Sequence, residues 1–303
     1  MPFLDLFSEK ADLYASARPI YPEALFRFVA SIAQLHDRVW DCGAGNGQAA
    51  IGLARHFDVV EATDASKQQI ENAIPHKRVH YSVQPAEQTK FQAASFDAVC
   101  VAQALHWFDF DRFYLEVHRV LKPDGVFAAW GYDWFNVSKD FNAQFERSIL
   151  DVIRPYWAPQ NTLVWNAYRD VPFPFAQIDS PKILMEVSWT FPQLLAYVHT
   201  WSATRRCMTE KGNEFFEQAK RKLTSHWGVA SEQRTITMRL HLLAGRHANP
   251  SVPADSPALR AVPPLNRALN DSHLENWLTA PSLCPHPTTN AQVMTDTAGA
   301  VRS

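Results

Sequence analysis

The stretch Val39-Trp40-Asp41-Cys42-Gly43-Ala44-Gly45-Asn46-Gly47 constrains this chain more than any other, because it stands between a strand-like run and a helical one. Its glycines let the backbone turn sharply and approach a ligand with no side chain in the way. A helix behind such a loop offers free N–H groups and the positive end of its dipole. Roughly twenty residues further on, Asp64 ends a second strand-like run, where a carboxylate accepts hydrogen bonds from ribose hydroxyls. Strand, glycine turn, helix and acidic strand end together predict a site for an adenosine-containing ligand. A tight strand-to-helix turn without a ligand is the plainer reading of the glycines alone.

From Arg38 to Tyr132 strand and helix signals alternate, the pattern of a parallel sheet flanked by helices. Strands are predicted over Arg38–Cys42, Asp58–Thr63, Val79–Val83, Phe96–Ala102 and Val126–Trp130. Helices are predicted over Gln48–His56, from a Ser66 cap through Ala73, and from an Asp109 cap along Phe110, Phe113, Tyr114, Val117, Val120 and Leu121. Lys122-Pro123-Asp124-Gly125 stops that last helix. The expected fold is α/β, a Rossmann-like, doubly wound and mostly parallel sheet.

After Tyr132 the rhythm changes. Six of the 10 tryptophans fall between Trp130 and Trp201, and prolines interrupt the pattern around 155–181. Helices are predicted over Phe191–Thr200 and Asn213–Ser225, and a late strand over Thr235–Leu243 closes the sheet. The helical, aromatic-rich insertion reads either as a substrate lid or as a second packing layer. The organisation expected is a single domain over 1–246: an N-terminal lid segment (1–35), a cofactor-binding core (36–132), a substrate insertion (133–230) and a closing strand (231–246). Eight of the 20 prolines lie beyond His247, where only 265–278 reads as helical, so 247–303 is expected to be a flexible tail.

A formal net charge of -2 gives no electrostatic footprint for nucleic acid. No apolar run approaches the roughly 18 residues of a membrane span, and the opening MPFLDLFSEK lacks the pattern of a secretory signal. A cytoplasmic location is expected, with no membrane or nucleic-acid partner. Cys42, Cys100, Cys207 and Cys284 form no CxxC pair and read as structural. Cys284-Pro-His286 offers too few ligands for a metal, so none is expected.

A dinucleotide site would carry its third glycine at position 48, where this chain has Gln48. The loop also lacks the basic residues of a phosphate site. G-x-G-x-G preceded by Asp41 suits S-adenosylmethionine (SAM), whose sugar and amino-acid ends need hydroxyl and ammonium partners. A nicotinamide-dependent oxidoreductase and a SAM-binding protein without turnover are the readings left open.

The segments VWDCGAGNGQAAIGL, VVEATDAS, SFDAVCVAQALHWFD and VHRVLKPDGVFAAWGY resemble the successive motifs of class I SAM-dependent methyltransferases. Tyr14-Ala15-Ser16-Ala17-Arg18-Pro19-Ile20-Tyr21-Pro22 and Thr200–Ala203 are similar to signatures of the small-molecule group related to trans-aconitate methyltransferases. The resemblance covers roughly residues 11–245. It implies that Asp41 and Gly43, with Gly45 in the same loop, line the methionine end of the cofactor. It also implies that Asp64 holds the ribose, that Ala86 and Glu87 contact adenine, and that Gln103 lies near the sulfonium. Many relatives carry aspartate where Pro85 stands, which shifts the adenine contact to Glu87 or a main-chain carbonyl.

Methyl transfer from a sulfonium is an in-line displacement, so positioning and desolvation supply much of the catalysis. A carboxylate acceptor needs no base, and the resemblance favours an organic acid methylated on a carboxylate oxygen. A hydroxyl or amine acceptor would draw on His106 as base; otherwise His106 orients its loop. Trp107 reads as a wall of the pocket or as core. Tyr14, Arg18 and Arg206 are candidates for the acceptor side, the arginines as carboxylate clamps or as surface ion pairs.

Overall fold

The computed structural model of the chain describes residues 19–247. Tyr14, Arg18, Cys284, the 265–278 stretch and nearly all of the expected tail lie outside the described residues.

The predicted sheet forms where the apolar runs require it. Strands β1 (Arg38–Cys42), β2 (Val59–Asp64), β3 (Val79–Val83) and β4 (Phe96–Ala102) are parallel, with β1 central between β2 and β4. β4 is buried along nearly its whole length, the mark of a strand covered on both faces. Its residues alternate between the two faces. Ala98 and Cys100 join one apolar cluster with Val39, Val126 and Trp130, while Val99 and Val101 join the other with Trp40 and Phe127.

β5 pairs parallel with β4 but is much longer than expected, Leu121–Asn136. Leu121 already pairs with Phe96, and the Lys122–Gly125 turn, with Asp124 at φ +61°, forms an irregularity inside the strand. Beyond Trp130 the strand continues because it finds an antiparallel partner, β8 (Arg234–Arg246), the expected closing strand. Two strands that the sequence reading missed, β6 (Ala176–Gln177) and β7 (Ile183–Trp189), pair with the outer edge of β8. The order is β3-β2-β1-β4-β5-β8-β6, with β7 beside the first half of β8.

Helix α1 (Glu23–Ile32) lies in the described part of the expected N-terminal lid segment. Leu25, Phe26 and Val29 are buried in the core, and a Cβ added to Gly52 would lie 2.1 Å from Phe26 Cζ. This helix is a packing layer on the sheet. Helix α2 (Gln48–Leu53) ends earlier than predicted, as does α3 (Lys67–Glu71), which Ser66 caps by accepting the Gln69 N–H at 3.3 Å. Helix α4 (Phe110–Val120) starts at its predicted cap, where Asp109 accepts the Arg112 N–H, and buries Phe113, Tyr114, Val117 and Val120.

The insertion contributes to the core and also lines a cavity. Helix α5 (Lys139–Phe145) and its π-helical continuation Glu146–Leu150 pack Phe141, Phe145 and Ile149 into the same cluster as Phe135, Trp201 and Trp227. Helices α6 (Asp151–Ile153), α7 (Asn161–Trp165), α8 (Phe191–His199), α9 (Ser202–Lys211) and α10 (Glu214–Trp227) complete it. A second set of its aromatics faces a cavity. Cys42, Cys100 and Cys207 are buried free thiols. No helix among the described residues is long and apolar enough to cross a membrane.

Candidate functional site

All the sequence-predicted cofactor residues gather at the carboxyl ends of β1 to β4, where open α/β sheets hold their ligands. Gly43, Gly45 and Gly47 have φ of +68°, +56° and +88°, a region that side chains other than glycine rarely adopt. Gly43 also permits a close approach: a Cβ there would lie 2.7 Å from Ala104 Cβ. At Gly47, the N-cap of α2, a Cβ would lie 2.1 Å from the Tyr81 hydroxyl.

Asp64 ties this loop to the end of β2. One carboxylate oxygen accepts the Gly45 N–H at 2.9 Å and the other accepts the Ser66 N–H at 2.8 Å. Each oxygen has a second lone pair, so an aligned carboxylate can still accept from ribose hydroxyls.

Asp41 is the anomaly of the site. It is wholly buried, and among the described residues only the Ala50 N–H approaches its carboxyl, with neither oxygen in a well-formed hydrogen bond. Burial pushes its carboxyl up to about 7, with the nearby Ala50 N–H opposing the shift and the Asp64 charge adding to it. A buried carboxylate without a partner costs several kcal/mol unless something cationic or hydrogen-donating meets it. The ammonium of a bound methionine moiety has that chemistry, so the residues present fit SAM.

Of the two residues expected to contact adenine, Ala86 is buried after β3, and Glu87 Oε1 accepts the Asp109 N–H at 3.3 Å at the start of α4. Gln103 closes β4 at φ +55°. Its amide clips the next strand at two points, donating to the Tyr132 carbonyl at 2.8 Å and accepting the Tyr132 N–H at 2.9 Å. Its side chain therefore fixes the backbone of β5.

Beyond Gln103, the short 3-10 helix Leu105–Trp107 carries His106 and Trp107 into a cavity of about 90 Å³. His106 is buried, its Nδ1 has no partner among the described residues, and desolvation lowers its pKa to about 3. It is therefore neutral and a poor proton acceptor at neutral pH. Trp107 packs on it with ring centroids 4.7 Å apart. Arg206 does not line this cavity. It lies on α9 and donates to the Tyr156 carbonyl at 3.2 Å, so the clamp expected of it finds no geometric support.

The sequence reading missed most of the cavity wall. Tyr132, Asp133 and Trp134 all line it, which three consecutive residues of a regular strand cannot do. They can here because the pairing of β5 with β8 shifts by one residue between Tyr132 and Phe135, and a bulge re-aims side chains. Trp157, Trp165 and Trp201 complete a tryptophan cluster with Trp134. The crowding of tryptophans between 130 and 201 was the available signal, but nothing in their spacing assigns them to one cavity.

The family model described as a methyltransferase domain matches residues 40–129, from β1 into β5. A Dictyostelium discoideum protein named as a methyltransferase is 31% identical over 204 residues, covering 66% of this chain and 78% of that protein. A Saccharomyces cerevisiae protein named as a SAM-dependent methyltransferase is 29% identical over 131 residues, covering 39% of this chain and 44% of that protein. Among solved structures, one named as a type II methyltransferase from Anaeromyxobacter dehalogenans is 37% identical, with a TM-score of 0.72 over 76% of this chain and 98% of the other. These likenesses overturn the oxidoreductase alternative.

Proposed function

Because the chain belongs to the class I SAM-dependent methyltransferases, we propose that it methylates a small molecule held in the cavity beyond Gln103. One observation carries the reading. Ala104 abuts Gly43 of the cofactor loop, and His106 and Trp107, two and three residues on, line the cavity. The same short segment walls both the cofactor cradle and the acceptor space.

Asp41 and Gly43, with Gly45, would hold the methionine end, Asp64 the ribose, and Ala86 and Glu87 the adenine. When bound, SAM supplies an electrophilic methyl group on a sulfonium. The chain's own part is to position and desolvate. Gln103 fixes the strand behind the site, and aromatic side chains wall the cavity. Neutral His106 serves as a hydrogen-bonding wall, which speaks against its use as a base.

The finer likeness to trans-aconitate methyltransferases would make the acceptor a carboxylate. That reading drew on Arg18, Arg206 and Tyr14. Arg206 is turned to the Tyr156 carbonyl, and the described cavity wall contains Asp133 and no lysine or arginine. The geometry favours a neutral or cationic acceptor over an anionic one.

The test is calorimetry of SAM and S-adenosylhomocysteine binding, followed by S-adenosylhomocysteine release with matched small acids, alcohols and amines. Failure of folded protein to bind SAM would end the proposal. Turnover of acids that is lost in Arg18→Ala would restore the carboxylate reading.

A further inference from the structure

The cavity wall is rich in tryptophan and carries one carboxylate. Trp134 stacks on Trp165 at 5.5 Å and 26°. Trp157 stands edge-on to both, at 6.0 Å and 78° to Trp134 and 5.8 Å and 90° to Trp165. Trp201 meets Trp134 at 5.7 Å and 62°. Tryptophan faces attract cations through their ring quadrupoles, most strongly where water is excluded.

Asp133 enters this aromatic wall from the β5 bulge, and its Oδ2 lies 3.1 Å from Nε2 of His241 on β8. Both side chains are largely shielded, at 22% and 17% exposure. His241 fixes the carboxylate without spending both of its oxygens. An anion framed by tryptophans, with no lysine or arginine in the described wall, complements an alkylammonium and repels a carboxylate.

Resting on the methyltransferase reading above, we propose that the acceptor is an aliphatic amine and that Asp133, held by His241, binds it and takes its proton. The entering ammonium gives one proton to the Asp133 carboxylate, which frees the nitrogen lone pair. That lone pair forms the N–CH3 bond as the C–S bond breaks, and the bonding electrons go to sulfur. S-adenosylhomocysteine and a methylammonium result, and the proton on Asp133 passes to water.

The experiment titrates SAM-free and SAM-loaded protein with butyltrimethylammonium and with butyrate, following intrinsic tryptophan fluorescence, and measures SAM affinity by calorimetry on the same samples. The expected result is saturable quenching by butyltrimethylammonium, none by butyrate, and a cation affinity about tenfold or more weaker in Asp133→Asn. Tighter binding of butyrate by the wild type overturns the proposal, as does an Asp133→Asn variant with normal SAM affinity and undiminished cation binding. The wild-type comparison stands even if Asp133→Asn fails to fold. Loss of SAM binding in the wild type would instead remove the methyltransferase reading beneath it.

Discussion

The N–H of Gly45 donates to Asp64 Oδ2 at 2.9 Å, so the residue expected to hold the ribose also holds the glycine loop. Its second oxygen carries the Ser66 N–H, at the cap of α3. One carboxylate thus couples the strand end, the loop and the next helix.

Asp64→Ala should therefore weaken SAM and S-adenosylhomocysteine together, by about 1.5–3 kcal/mol, the range for hydrogen bonds to a charged group. Asp64→Asn keeps one acceptor oxygen and should fall between the two. Calorimetry giving wild-type affinity for Asp64→Ala would show that the carboxylate is needed for neither the loop nor the ligand.

Gly47→Ala should fail for two separable reasons. The left-handed backbone costs an alanine about 1 kcal/mol, and its Cβ would lie 2.1 Å from the Tyr81 hydroxyl. That hydroxyl is itself fixed by donating to the Ile74 carbonyl at 2.8 Å. Combining Gly47→Ala with Tyr81→Ala should recover part of the lost stability in urea unfolding. If the double variant is as unstable as the sum of the two singles, the clash is not the cause.

Burial drives Asp41 and His106 in opposite directions, Asp41 from 3.8 up to about 7 and His106 from 6.5 down to about 3. Folded Asp41 keeps a proton that the unfolded chain loses above about pH 4, so its contribution to stability fades as pH rises toward 7. Folded His106 refuses a proton that the unfolded chain takes below about pH 6.5, so its contribution fades as pH falls. Between about pH 4.5 and 6.5 the two slopes oppose, each spanning at most about 3 kcal/mol at roughly 1.4 kcal/mol per unit. Asp41→Asn should then gain stability as pH rises through this window, and His106→Phe should lose it. Parallel profiles in denaturant titrations would contradict the opposed burial.

The cofactor half of the site was legible because its residues sit at the ends of consecutive strands, where glycine, aspartate and apolar runs punctuate the chain. Gly43, Asp64 and Gln103 needed only the parallel order of β1, β2 and β4 to come together. The proposed acceptor half was not legible. It joins a bulge in β5, the 157–165 turn region and the start of α9, and a one-residue bulge leaves no mark in sequence. β7 escaped for a related reason: Leu184 faces out at 47% exposure, which blurs the alternation of an edge strand. α1 carries an ordinary amphipathic signal at Leu25, Phe26 and Val29.

The last prediction separates His106 as wall from His106 as base. A conjugate acid at about 3 leaves the imidazole neutral across the physiological range and weakly basic. His106 lines the cavity, and its Nδ1 is buried with no partner among the described residues. His106→Ala should therefore retain turnover, with a loss in kcat/KM of about tenfold that falls mainly on KM. His106→Asn, which restores a polar nitrogen near Nδ1, should recover part of it, and neither variant should move an inflection in the pH–rate profile. Arg206→Ala should leave kcat/KM within about threefold of wild type, because its donor serves the Tyr156 carbonyl. A His106→Ala variant that binds SAM normally yet loses all turnover, without rescue by asparagine, would return His106 to the role of base.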